Sequence, residues 1–203
     1  MSLARGRPTA LDQQPESFAF SAENAEKAQA IIAKYPEGRQ QSAVMPLLDL
    51  AQRQETWVSI AAMDLISDML DMPAIRVYEV ATFYTMYNLE PVGEFLIQVC
   101  TTTPCMLRDS DSIVEACRSH LGIDFEETTE DGKFTMMEVE CLGACVNAPM
   151  VQINDDFYED LDAEKMLNIL DALKRGEKPA IGSQNGRHTS EPASGAKTLQ
   201  GGA

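Results

Sequence analysis

Long apolar runs are missing from this chain: nothing in its 203 residues approaches the roughly 20 apolar residues of a spanning helix, so no helical crossing of a bilayer is expected. Positive charge is scarce too. Sixteen Lys and Arg face 32 Asp and Glu, for a net charge of −16. Such a surface argues against binding nucleic acid, which needs basic groups to displace counterions from phosphate. It equally argues against adsorption on an anionic membrane. No glycine-rich phosphate loop is present, so a nucleotide or flavin site on this chain is not expected. Met1 to Pro8 has no apolar core of a secretory signal, although Arg5 and Arg7 leave a short organelle-targeting arm open. Without secretion, paired cysteines read as metal ligands or redox groups rather than disulfides. No Cys-x-x-Cys occurs, which weakens a thioredoxin-type dithiol.

What is present is enough apolar material, 44% of residues, to bury a core. Residues 1–17, with Gly6, Pro8 and Pro15, read as a loose arm. Helical periodicity then predicts four short helices within a helical domain over 18–90. They span 22–34 (capped by Ser21), 43–54, 60–70 (capped by Ser59) and 74–84 (opened by Pro73). After Pro91 and Gly93 the period changes. A second domain over 91–176 is expected to run strand 94–99, helix 110–121, strand 123–128, strand 134–140, a hairpin around Asn154-Asp155-Asp156, and a last helix from Asp162 to about Arg175. The whole is an α+β chain whose second part has a thioredoxin-like order. From Glu177 to 203 the Gly, Ser, Pro and polar composition predicts a disordered tail.

Four of the five cysteines form two close pairs, Cys100-x4-Cys105 and Cys141-x3-Cys145, each following a predicted strand. Such a set can hold zinc or an iron–sulfur cluster, and the intervals alone leave both open. Leu142-Gly143-Ala144 lets the backbone approach sulfur and take unusual dihedrals, and Pro104 stiffens the other loop. Cys117 falls on the inward face of its helix and reads as a small core hydrophobe. Phe83, Tyr84 and Tyr87 read as packed aromatics, and His120 and His188 as surface residues.

Longer stretches carry a resemblance. Trp57-Val58, Asp71-Met72-Pro73 and the run from Val77 to Met86 resemble the E-subunit family of the respiratory NADH:quinone oxidoreductase (complex I), with its mitochondrial small flavoprotein-fraction counterpart. So do Pro91-Val92-Gly93, the run Val99-Cys100-Thr101-Thr102-Thr103-Pro104-Cys105-Met106-Leu107-Arg108, and Glu140-Cys141-Leu142-Gly143-Ala144-Cys145-Val146-Asn147-Ala148-Pro149. The resemblance covers about residues 18–175. It implies a helical bundle before a thioredoxin-like ferredoxin domain, and one [2Fe-2S] cluster on Cys100, Cys105, Cys141 and Cys145. It also implies docking beside the subunit that binds FMN and NADH, at the cytoplasmic face of the cell membrane or the mitochondrial matrix side. Asp109 departs from the small residue, often Gly, expected after Cys-Met-Leu-Arg. Related subunits serve NAD-linked hydrogenases and formate dehydrogenases, and a structural zinc module is the alternative of another class. The acidic residues Asp109, Asp111, Glu138 and Glu140 near the cysteines predict a low reduction potential for the isolated chain, since reduction adds negative charge to an anionic centre.

Overall fold

The computed structural model describes residues 14–192, 194–195 and 198. The chain divides into two compact units with the boundary between Val92 and Gly93. The expected arm lies, up to residue 13, outside the described residues, as does much of the chain after 192.

The first unit holds α1 (Ala22–Ile32), α2 (Val44–Glu55), α3 (Ile60–Met69) and α4 (Ala74–Phe83). Their starts follow the capping chemistry in the sequence. Ser21 Oγ accepts from the Asn24 N–H and Ser59 Oγ from the Ala62 N–H, each satisfying a donor that the first helical turn leaves open. Pro73 stands at the N-cap of α4 rather than inside it. Leu47, Leu48, Val58, Met63, Ile66 and Val77 are sealed from water in one core, each large side chain contributing about 2 kcal/mol of burial. Tyr87 joins that core, its hydroxyl donating to the Met45 carbonyl, and burial first of all pushes its pKa up to about 12. Phe83 and Tyr84 correct the packing expectation: they stand edge to face with each other, and Phe83 is 75% exposed.

The second unit is a five-stranded sheet in the order β2-β1-β3-β4-β5. It comprises β1 (Phe95–Cys100), α5 (Thr103–Leu107), α6 (Ser110–Leu121), β2 (Phe134–Val139), β3 (Val151–Ile153), β4 (Asp156–Glu159), α7 (Ala163–Lys174) and β5 (Gly182–Ser183). β1 and β2 run parallel, joined by the crossover that contains α6, and Phe95 stacks on its cross-strand partner Phe134. β3 pairs antiparallel with β1 on one side and with β4 on the other, and Asn154 turns the hairpin with φ 53°. Ile97, Val99, Phe134, Met136, Val151 and Ile153 from the strands share one core with Ile113, Val114 and Cys117 of α6 and Met166, Ile169, Leu170 and Leu173 of α7. Asp162 caps α7 by accepting from the Lys165 N–H, and Gly176 ends it with φ 77°.

Two further expectations are corrected. The segment 123–128 is not a strand: Glu126 turns the chain at φ 67°, and only Thr128 makes a bridge, to Thr135. The chain after Glu177 is not disordered over the described residues to 192. Gly182–Ser183 add a parallel strand to β4, and Arg187 forms a partly buried ion pair with Asp160. That pair and the ladder bonds supply a fastening that composition does not reveal.

Candidate functional site

The four paired cysteines meet at one end of this sheet, and strand register brings them there. Cys100 ends β1, and its parallel neighbour on β2 is Val139, so Cys141 emerges two residues beyond the same edge. α5 then folds back immediately after β1 and returns Cys105 beneath Cys100. This short helix, with Pro104 in its first turn, stands where the sequence suggested only a loop. A single 3-10 turn, Cys145–Asn147, brings the chain back toward β3.

The two pairs sit in different surroundings. Cys100 and Cys105 are each 1% exposed, in a small apolar cluster with Val139, Ala148 and Met150. Cys141 and Cys145 are exposed, with their sulfurs 3.2 Å apart. Burial, then a hydrogen bond with Cys100, pushes the Cys105 thiol up to about 12, although the Met150 N–H pulls the other way. The sulfurs of the exposed pair lie within hydrogen-bond reach of each other. Cys141 is lowered first by its hydrogen bond with Cys145, helped by the Gly143 N–H at 3.4 Å and by the Thr102 hydroxyl. Cys145 is correspondingly raised. Thr102 Oγ1 also lies 3.3 Å from Cys100 Sγ, so one hydroxyl reaches a sulfur in each pair.

Negative charge on Cys145 raises Cys105, and charge on Cys100 raises Cys145, so the buried and exposed pairs sense each other. Two thiol pairs linked in this way through Cys145 are, once deprotonated, a donor set for a polynuclear thiolate centre. Among the described residues, no three His, Cys, Asp or Glu side chains form a grouping that could hold a metal ion. The arrangement is two-plus-two, and a [2Fe-2S] cluster takes two thiolates on each iron.

Gly143 has φ 91°, a conformation open to glycine, and no atom lies within 4 Å of where a Cβ would stand. The dihedral, not crowding by protein atoms, therefore requires glycine there. Asp109 takes φ 73°, which explains the expectation of glycine at that position, and Ser112 Oγ donates to its carboxylate. Cys117 stays out of the site, fully buried beneath the sheet, where desolvation pushes it up to about 12. The sequence pointed to the cysteines and to Gly143, but not to the Met150 N–H or to Asn147, which no spacing rule marks.

The family model of thioredoxin-like [2Fe-2S] ferredoxins matches residues 28–174. The chain is 51% identical over 199 residues to the mitochondrial NADH dehydrogenase [ubiquinone] flavoprotein 2 of Dictyostelium discoideum, covering 98% of this chain and 81% of that one. It is 58% identical over 159 residues to the E subunit of the NADH-quinone oxidoreductase of Rickettsia bellii (strain RML369-C), covering 78% and 95%. Among solved structures, an NAD+-reducing [NiFe]-hydrogenase in the H2-reduced state matches with a TM-score of 0.57 at 17% identity, over 66% of this chain and 22% of the hydrogenase chain. That last likeness is one of fold alone, and this chain spans under a quarter of the hydrogenase chain.

Proposed function

Because this chain belongs to the thioredoxin-like [2Fe-2S] ferredoxin family, together with the E subunits of NADH-quinone oxidoreductases and their mitochondrial counterpart, we propose that Cys100, Cys105, Cys141 and Cys145 hold its cluster beside an FMN- and NADH-binding partner subunit. The chain is an electron-transfer subunit of an NADH:quinone oxidoreductase and carries one [2Fe-2S] cluster. The observation that carries the ligand assignment is the meeting of two thiol pairs at one sheet edge, each within electrostatic reach of the other.

When bound, the cluster takes up and gives up single electrons. The chain's own residues do the rest. Cys100 and Cys105 anchor their side of the site under Val139, Ala148 and Met150, which keep water away. Gly143 and Met150 offer backbone N–H groups, and Thr102 a hydroxyl, to sulfurs that carry negative charge once deprotonated. Hydride chemistry belongs to the partner, whose flavin the electron comes from. The four helices serve as the N-terminal bundle of the family and 91–176 as its ferredoxin domain. The subunit lies peripherally, on the cytoplasmic face of the cell membrane or the matrix side of a mitochondrion; no helix among the described residues is long and apolar enough to cross a membrane. The relatives at 51% and 58% identity favour a quinone-reducing complex over a hydrogenase or formate dehydrogenase.

Anaerobically purified protein tests this reading. A brown chain with about two irons and two sulfides, bleached by dithionite, is expected, and Ala at any of the four cysteines removes the colour. A colourless chain with one zinc overturns it in favour of the assembly module. Co-purification with an FMN-binding subunit and membrane quinone-pathway subunits is expected; a hydrogenase or formate dehydrogenase large subunit in their place overturns the choice of complex.

A further inference from the structure

We propose that the segment 178–191 is a working part of the cysteine site, a strap that holds the Cys145 turn in place through Asn147; the proposal rests on the [2Fe-2S] reading above. Asn147 is two residues past Cys145 and only 2% exposed. Both hydrogens of its side-chain amide are used: Nδ2 donates to the Glu159 carboxylate and, at 2.9 Å, to the Thr189 carbonyl of the strap. Both partners are acceptors, so the amide has one permitted orientation, because a flip would set its oxygen against two oxygens. Its Oδ1 accepts no hydrogen bond among the described residues. A buried amide that leaves its acceptor unsatisfied is held there by its two donations.

The strap is itself fastened. Thr189 takes φ 49° to present its carbonyl, and Arg187 grips the Asp160 carboxylate through two of its nitrogens while donating to the Glu191 carbonyl. Ser183 Oγ donates to Asp160, Lys165 Nζ to Asn185 Oδ1, and the Gln184 N–H to the Glu159 carbonyl. The fastened segment 159–161 reaches back to the cysteine turn, since the Asp160 N–H donates to the Asn147 carbonyl at 2.7 Å and the Leu161 N–H to that of Pro149. Asn147 is thus clamped from two sides by contacts that converge on Asp160 and Thr189. Asn147 bonds Glu159, Thr189 and Asp160; it is a positioning residue acting through Cys145.

The test uses the full chain with Asn147→Ala, Arg187→Ala, the double variant and Arg187→Lys. In metal-free protein, amide exchange at Asn147 and Ala148 is expected to quicken in both Ala variants, while Ile97 and Met136 stay as protected as before. In reconstituted protein, iron release to a chelator is expected to rise about tenfold or more in each, with the visible circular dichroism altered and Arg187→Lys partly restored. The double variant releases iron no faster than the quicker single one, because both act through one clamp. Wild-type exchange and release in both Ala variants, effects that multiply, or equal quickening at Ile97 and Met136 each overturn the proposal. If wild-type protein binds no iron, it is the [2Fe-2S] reading that fails, and exchange in the metal-free chain still decides the strap. If Asn147→Ala does not fold, Arg187→Ala decides alone.

Discussion

The two cysteine loops have nearly the same spacing and opposite support. The first, Cys100 to Cys105, is held from below: both thiols sit in an apolar cluster, and α5 folds locally to bring the second under the first. The second, Cys141 to Cys145, stands in water and is held from behind by hydrogen bonds running through Asn147 and Asp160 to a segment some 40 residues later in the chain. Similar intervals in sequence therefore do not mean similar thiols. Apolar burial shields the thiols of one loop, while the other is open to water and depends on polar contacts with remote residues.

Alkylation of the metal-free protein is the sharpest way to break this contrast. At pH 8 a thiol near 12 is about a thousandfold less ionised than an ordinary one, so Cys141 should be modified first and Cys105 and Cys117 last, read by peptide mass mapping. Raising the pH should level the rate at Cys141 while that at Cys105 is still climbing above pH 11. Comparable rates at Cys105 and Cys141 near neutrality would dissolve the distinction.

Glycine substitutions extend the comparison to the backbone. Gly93 leads into β1, and a Cβ there would meet the Gly132 carbonyl oxygen and the Lys133 carbonyl carbon at 2.9 Å, backbone that cannot step aside. Gly93→Ala should cost about 1–3 kcal/mol in denaturant unfolding. Gly143→Ala on the second loop meets only the dihedral and should cost about 1 kcal/mol, so an equal or larger loss at Gly143 would mean that the second loop is the tighter one.

Acid probes the polar support alone. Burial would raise the Asp160 pKa, but hydrogen bonds from Arg187 and Ser183 and the Arg187 charge outweigh it and hold the carboxyl below its usual range. With a depressed folded value, its stabilisation is complete above the unfolded carboxylate pKa of about 3.9 and is lost as pH falls through the lower folded value. Amide protection of the second loop should thus fail in that window before protection of β1 does, and Asp160→Asn should abolish the difference while lowering Tm by a few degrees. The smallest effect belongs to Cys117→Ala, which should leave iron content and visible spectrum unchanged and cost about 1 kcal/mol. Iron loss in that variant would bring Cys117 into the site after all.

Local chemistry was the legible part of the fold. Caps at Ser21, Ser59 and Asp162, the stop at Gly176 and the turn at Asn154 act between near neighbours, so their residues announce them. The short helix α5 was not visible, because Thr103 to Leu107 is too brief for a period to show. The segment 123–128 has strand-like residues but bends at Glu126, whose positive φ no β-propensity foretells. The strap after Glu177 looked disordered because it has almost no apolar content. Its order comes from Arg187, Ser183 and Thr189 meeting Asp160 and Asn147, partners far away in the chain.

By itself the sequence determined which residues can carry the chemistry: two thiol pairs, a glycine between the second pair, and an acidic chain without a nucleotide loop. Those are properties of residue type and short spacing, and they survive any arrangement of the rest. Only the tertiary structure decided that Cys100 and Cys105 are dry while Cys141 and Cys145 are wet, and that a remote strap stands behind Asn147. Burial and long-range hydrogen bonds depend on which strands pair and in what register. That choice belongs to the whole chain, because the parallel partner setting Cys100 beside Val139 lies more than thirty residues away.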